Sequence, residues 1–262
     1  MKVWSKSFYL LVLMMVTACT SSPTGRQQLL LFSESNMNKL GEQSFEQIKR
    51  DQTVSKNIAV NNYVTCVANS ITKHVPKQAG FSEWEVVVFE SDEVNAFALP
   101  GGKIGVYTGL LKVAQNQDQL ATVIGHEIAH VLAQHSNERL SQTQLANAGL
   151  QVTSIALESS EYKEYQKTTM AALGIGVQYG LLLPYGRSQE SEADMVGLDL
   201  MSKAGYDPHQ SVALWQNMSK ASQGKQPPEM LSTHPSHSTR IGDLSKRITT
   251  LAPTNTPRPK CQ

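Results

Sequence analysis

Excess charge of either sign is missing from this chain: 23 Lys and Arg stand against 22 Asp and Glu, a formal net charge of +1. Setting aside Lys2 and Lys6 of the N-terminal segment leaves 21 against 22, a net −1. No basic run or aromatic-interleaved arginine patch breaks that balance, which argues against a nucleic-acid partner. Cysteines number only three, and neither Cys66 nor Cys261 has metal-ligand spacing, so a cysteine-built zinc module is excluded. A long hydrophobic run is also absent. The apolar stretch near the N-terminus, Phe8 to Val16, falls well short of the ~20 residues a spanning helix needs. No internal repeat is visible, and 262 residues are ample for one well-buried core without requiring two independent domains.

What the chain does carry is His126-Glu127-Ile128-Ala129-His130. Two histidines four apart on a helix share one face, so both imidazoles can reach a single tetrahedral ion at about 2.0–2.1 Å. Glu127 then sits beside the metal rather than on it. There it can act as general base on water that zinc has acidified to a pKa near ~7. Leu120, Ile124, Ile128 and Val131 recur at helical spacing, and His126 and His130 lie away from that apolar stripe. Zinc held by two histidines is incomplete, because a catalytic site has three protein ligands and an open position. Downstream, Glu190 and Asp194 share a helix face, while Glu192 points about 160° away from Glu190. Glu190 can therefore complete the ligand set, and Asp194, one turn later, can accept a hydrogen bond from a ligand imidazole and fix its tautomer.

The N-terminal segment has a short basic start, an apolar core and then Val16-Thr17-Ala18-Cys19, which reads as an export signal over residues 1–18. Small residues before a cysteine resemble a bacterial lipobox. That resemblance implies cleavage before Cys19 and acylation of Cys19, with Thr20 rather than Asp favouring the outer membrane. Several acyl chains would anchor the protein stably. The expected location is periplasmic, lipid-anchored at the outer membrane of a Gram-negative bacterium. Cys66 and Cys261 then remain as an even pair in an oxidising compartment, where a disulfide would tie the C-terminal tail to the first helical region.

Residues 19–32, rich in Ser, Pro, Thr, Gly and Gln, read as a lipidated tether, and residues 33–262 as the catalytic domain. Ser33 is positioned to cap a helix to about residue 51, and a second runs from 56 to 74. Three short β-rich runs follow, within 84–90, 97–99 and 103–107, and predict a small three-stranded meander. Beyond it the pattern is helical: Asn116 to His135 around the histidines, about 141–183 as a hairpin over the cleft, a helix capped by Ser188, another from Asp207-Pro208, and a last one after Pro235. The fold class is α+β, mostly helical, with the small sheet beside the active-site helix. His135, with His74, His209 and His237, reads as a surface residue.

Four pieces of the chain together resemble metallopeptidase family 48, the group of the HtpX-, LoiP-, BepA- and Oma-like zinc peptidases. They are Asn95-Ala96-Phe97-Ala98-Leu99-Pro100-Gly101-Gly102, His126 to His130, Glu190 to Asp194, and Thr233-His234-Pro235 with Arg240 following. Pro23 to Leu31 is also similar to the lipoprotein members. The resemblance implies a gluzincin-type domain in which His126, His130 and Glu190 bind one zinc ion per chain, Glu127 is the general base and Asp194 stands behind the ligands. It also implies that Asn95, Ala96, Phe97 and Ala98 form an edge strand to which an extended substrate adds. His234 becomes a residue near the metal, either a plug of the open position or an oxyanion partner. Arg240 reads as a structural ion-pair residue. The expected activity is zinc endopeptidase action on unfolded or misassembled envelope proteins. The competing expectation is a periplasmic chaperone or scaffold whose zinc site is kept closed.

Overall fold

The computed structural model describes residues 19–76, 81, 83–178, 182–221 and 237–261. Within them a mixed three-stranded sheet and a set of helices surround one central helix. The chain starts with a two-stranded antiparallel hairpin, β1 (Cys19–Ser21) and β2 (Gln27–Leu29). The Ser/Pro/Thr/Gly-rich stretch expected to be a loose tether is therefore folded and docked. Arg26 and Gln28 within it reach buried carboxylates of the domain, and those bonds offset the entropy a tether would keep.

Helix α1 (Glu34–Asp51) is capped by Ser33, whose hydroxyl accepts the Asn36 amide, and it buries Met37, Gly41 and Phe45. Helix α2 (Ile58–Thr72) is capped by Asn57 and buries Val64, Val67, Ala68 and Ile71. Strands β3 (Glu85–Phe89), β4 (Ala96–Leu99) and β5 (Lys103–Tyr107) lie in the order β3-β5-β4. This is not the expected meander. Strand β5 sits in the middle, parallel to β3 and antiparallel to β4. The reversal at Gly101 (φ 85°) and Gly102 (φ 72°) pairs β4 with β5, while residues 90–95 carry the chain past β5 to the far edge. Phe97 packs with Phe45, Phe89 and Tyr107 on one face, and Ala96 and Ala98 are buried on the other.

After a 3-10 turn, Thr108–Lys112, comes the central helix α3 (Gln117–Leu132). The Asn116 side chain accepts the amides of Asp118 and Gln119 at its start. Leu120, Ile124 and Ile128 are fully buried and Val131 nearly so. Each such side chain contributes about 1.5–3 kcal/mol by burial. The helix ends at Leu132, short of the expected His135, because Gln134 adopts the left-handed conformation (φ 52°). Helix α4 (His135–Glu158) restarts from that corner. A 3-10 turn (Lys163–Tyr165) then leads to α5 (Gln166–Val177), which returns along α4 with Gln166 bonded to Ser154. Leu145, Val152 and Ile155 of this hairpin are exposed.

Helix α6 (Leu183–Lys203) begins at Leu183–Pro184 rather than at Ser188, since proline fits the first turn of a helix and needs no donor. It ends before Gly205 (φ 85°). Helices α7 (His209–Ala221) and α8 (His237–Ile248) close the core. The tail runs back across the start of α3, where Gln117 bonds Pro259 and Cys261 and Arg258 pairs with buried Asp118. A disulfide joins Cys66 of α2 to Cys261, with Cα atoms 5.6 Å apart. No described helix is long and apolar enough to cross a membrane.

Candidate metal centre

Helices α3 and α6 cross at two glycines. A Cβ on Gly125 would lie 2.8 Å from the Gly197 carbonyl oxygen, and one on Gly197 would lie 2.7 Å from the His126 nitrogen. That approach sets the acidic face of α6 against the histidine face of α3. The two imidazoles meet with His126 Nε2 and His130 Nε2 3.0 Å apart. The buried Glu190 carboxylate faces both, with Oε2 3.3 Å from His126 Nε2 and Oε1 3.5 Å from His130 Nε2. One ligand atom from each of the three lies within 4.8 Å of the others. Two imidazole nitrogens and one carboxylate oxygen converging on a point form a donor set that suits zinc, and three protein ligands leave a position open.

One turn after Glu190, Asp194 accepts a hydrogen bond from His126 Nδ1 at 3.0 Å, leaving Nε2 for a metal. Arg240 of α8, which sequence reasoning set aside as structural, stands behind Asp194. Its Nε donates to Asp194 Oδ2 at 2.7 Å and its Nη2 to Oδ1, and its guanidinium lies 3.6 Å from the centre of the Trp215 ring. Arg240 also comes within 3.8 Å of Glu190. Its signal in the sequence was its place in the fourth motif.

Burial and Arg240 press the His126 imidazole toward neutrality, but hydrogen bonds to Asp194 and Glu190 outweigh them and push its pKa up to about 9. Burial, reinforced by charge on His126, holds His130 well below the usual histidine range. Burial would raise the Asp194 carboxyl, but Arg240 and His126 hold it low. Glu127 goes the other way. Burial raises its pKa, with charge on His126 and the Ala98 backbone amide opposing.

Glu127 lines an open cleft of about 230 Å³ with His126, His130 and Glu190; Asn95, Ala96 and Ala98 form another wall. Phe97, expected beside them, is turned by the strand alternation into the aromatic cluster on the other face. Arg139, half exposed at the mouth, donates to Gln189 and to Glu190 Oε1 at 3.1 Å. His135 also lines the cleft. It is 1% exposed, where a surface position was expected. On an unbroken helix His135 would sit about 140° from His130, but the corner at Gln134 swings it back under the site. Its Nδ1 lies 2.8 Å from His130 Nδ1, and its Nε2 lies 3.1 Å from Glu192 Oε2. Burial lowers the His135 pKa against the pull of Glu192. Burial would raise the Glu192 carboxyl, yet hydrogen bonds from His135, Ser22 and Thr24 hold it far below the usual range. His234 lies outside the described residues.

The sequence model for peptidase family M48 matches residues 59–248, a span that contains His126, His130 and Glu190. The chain is 34% identical over 243 residues to the mitochondrial metalloendopeptidase OMA1 of Homo sapiens, covering 86% of this chain and 45% of that protein. It is 35% identical over 186 residues to the mitochondrial metalloendopeptidase OMA1 of Schizosaccharomyces pombe, covering 70% and 52% respectively. It is 24% identical over 220 residues to the beta-barrel assembly-enhancing protease of Escherichia coli (strain K12), covering 82% and 44%. The chain thus spans about half the length of the relatives it matches.

Proposed function

Because the chain belongs to peptidase family M48, we propose that it is a zinc-dependent endopeptidase acting on unfolded or misassembled proteins of the cell envelope. The convergence of His126, His130 and Glu190 within 4.8 Å, with Glu127 beside them in an open cleft, carries this reading. A zinc ion held by His126, His130 and Glu190 would supply Lewis acidity toward a carbonyl and toward water. The rest falls to this chain's own groups. Glu127 takes a proton from the attacking water and returns it to the leaving amine, and its burial-raised pKa suits a group that must both accept and give. Asp194, neutralised by Arg240, keeps His126 oriented. Strand β4 is the sheet's outer strand next to the cleft. An extended peptide laid along it is held by main-chain hydrogen bonds, which read little side-chain identity and so favour unfolded chains. The printed name of the Escherichia coli relative, a beta-barrel assembly-enhancing protease, supports an envelope substrate. The lipobox resemblance at Cys19 supports a periplasmic, lipid-anchored location.

The test is metal analysis of purified protein with digestion of casein, with and without a chelator. About one zinc per chain is expected, with cleavage stopped by the chelator and by Glu127→Gln while zinc stays bound. Cleavage that survives Glu127→Gln refutes the assignment. The exposed Leu145, Val152 and Ile155 favour a second reading, a client-holding chaperone. Full client rescue in cells by Glu127→Gln is its signature.

A further inference from the structure

We propose that the N-terminal hairpin is part of the metal centre: Arg26, Glu192 and His135 are positioning residues that hold His130 in the tautomer able to bind a metal. This rests on the metal site proposed above and adds a contribution from a segment far outside the histidine and glutamate motifs.

The argument is a count of protons along a chain of hydrogen bonds. Glu192, as a carboxylate, only accepts. Oε1 takes the Thr24 hydroxyl at 2.6 Å and the Thr24 amide at 3.2 Å. Oε2 takes Arg26 Nε and Nη2 at 3.1 and 3.0 Å. The 3.1 Å contact between Oε2 and His135 Nε2 therefore requires Nε2 to carry a hydrogen. A neutral imidazole has only one, so His135 Nδ1 is an acceptor. At 2.8 Å from it, His130 Nδ1 must then donate. That leaves His130 Nε2 bare, pointing at His126 Nε2 and Glu190. The opposite tautomer of His135 would place a hydrogen on His130 Nε2, where no metal can then bind.

Each candidate ligand histidine is thus backed by a carboxylate with an arginine behind it, directly for His126 and through His135 for His130. For His126 the series is Asp194 and Arg240. For His130 it is His135, Glu192 and Arg26. Arg26 also binds Glu138, a second fully buried acid, through Nη1 at 2.6 Å and Nη2 at 2.7 Å. One cation therefore serves two buried carboxylates. Arg26 Nε and Nη2 both sit on Glu192 Oε2, the oxygen that meets His135 Nε2, and so fix where that carboxylate stands against the imidazole. The hairpin that delivers Arg26 is itself held to α4, where the Leu31 amide donates to Ser141 and Phe32 exchanges hydrogen bonds with Asn137.

The measurement is the zinc dissociation constant, by competition with a chromophoric chelator, alongside the melting temperature of the metal-free protein. His135→Phe is expected to weaken zinc binding about 10–100-fold, as loss of a partner behind a ligand does. His135→Gln, whose amide oxygen can still accept from His130, is expected to recover most of it. Arg26→Met weakens zinc in the same direction, and Arg26→Lys less. A merely structural role would instead lower the metal-free melting temperature and leave the constant alone. If His135→Phe does not fold, Glu192→Gln, which offers the relay a donor as well as an acceptor, is measured in its place, with weaker zinc binding expected. A dissociation constant within twofold of the parent in His135→Phe, or in that replacement, overturns the proposal while the metal site stands. A parent protein that binds no zinc overturns both.

Discussion

The crossing of α3 and α6 at Gly125 and Gly197 brings Glu190 to the two histidines, and Gly197→Ala tests that claim most directly. The added methyl would lie 2.7 Å from the His126 nitrogen, 2.8 Å from His126 Cα and 2.8 Å from the Gly125 carbonyl carbon. Ordinary contacts of this kind lie near ~3.5–4.0 Å. All three obstructing atoms are backbone, so no rotamer change relieves them, and the helices must part by roughly 0.8 Å. Such overpacking costs about 1–3 kcal/mol. In a domain of this size that lowers the melting temperature by roughly 2–4 °C per kcal/mol. The metal suffers more than the fold, because ligand distances tolerate only about 0.2 Å, and a displaced Glu190 costs affinity at tenfold per about 1.4 kcal/mol. The expected result is a lower melting temperature and a zinc dissociation constant raised at least ~10-fold. Gly149→Ala is the control. It lies within α4 with nothing within 4 Å of the added carbon, so it should be neutral or stabilising by about 0.5–1 kcal/mol. Unchanged melting and zinc binding in Gly197→Ala would falsify the idea that backbone contact between these helices builds the site.

Two further outcomes are expected. Cys261→Ser opens a loop of 195 residues, worth up to about 5 kcal/mol in the chain-entropy model; its urea midpoint should fall, and an unchanged midpoint under oxidising conditions refutes a role for the strap. Burial would raise the Glu138 carboxyl, but Arg26 and Gln189 hold it below its unfolded value. Its contribution is therefore full above the unfolded pKa of roughly 4.3 and is lost as pH falls through the folded one. Urea midpoints measured from pH 7 down to pH 3 should decline less steeply in Glu138→Gln than in the parent, and parallel declines contradict the assignment.

Helix periodicity made the framework legible. The stripe Leu120, Ile124, Ile128 and Val131 is the buried face of α3, and the cap at Ser33 falls at a helix start. The site's neighbours were harder to read. His135 was misplaced because one residue, Gln134, leaves helical geometry, and nothing in the local pattern demands a left-handed glutamine. Glu192 was rightly placed on the face of α6 opposite Glu190, yet that face meets Arg26 and His135 instead of water. A contact across 166 residues leaves no trace in local spacing. The sheet order failed for a related reason. Adjacent strands in sequence favour a meander, but residues 90–95 carry β4 across β5, and only tertiary packing of Phe97 and Phe89 on Phe45 settles that path.

The docked β1–β2 hairpin leaves no slack between position 19 and the cleft. Strand β1 opens at Cys19, and within a few residues the backbone is clamped by Thr24 and Arg26 to the helix that bears Glu190. Anything that seizes the chain at Cys19 consequently sets the attitude of the whole molecule and the height of its mouth, in the way a short stalk aims a lamp. A displacement imposed at position 19 is therefore passed on to the acidic face of that helix rather than absorbed along the way.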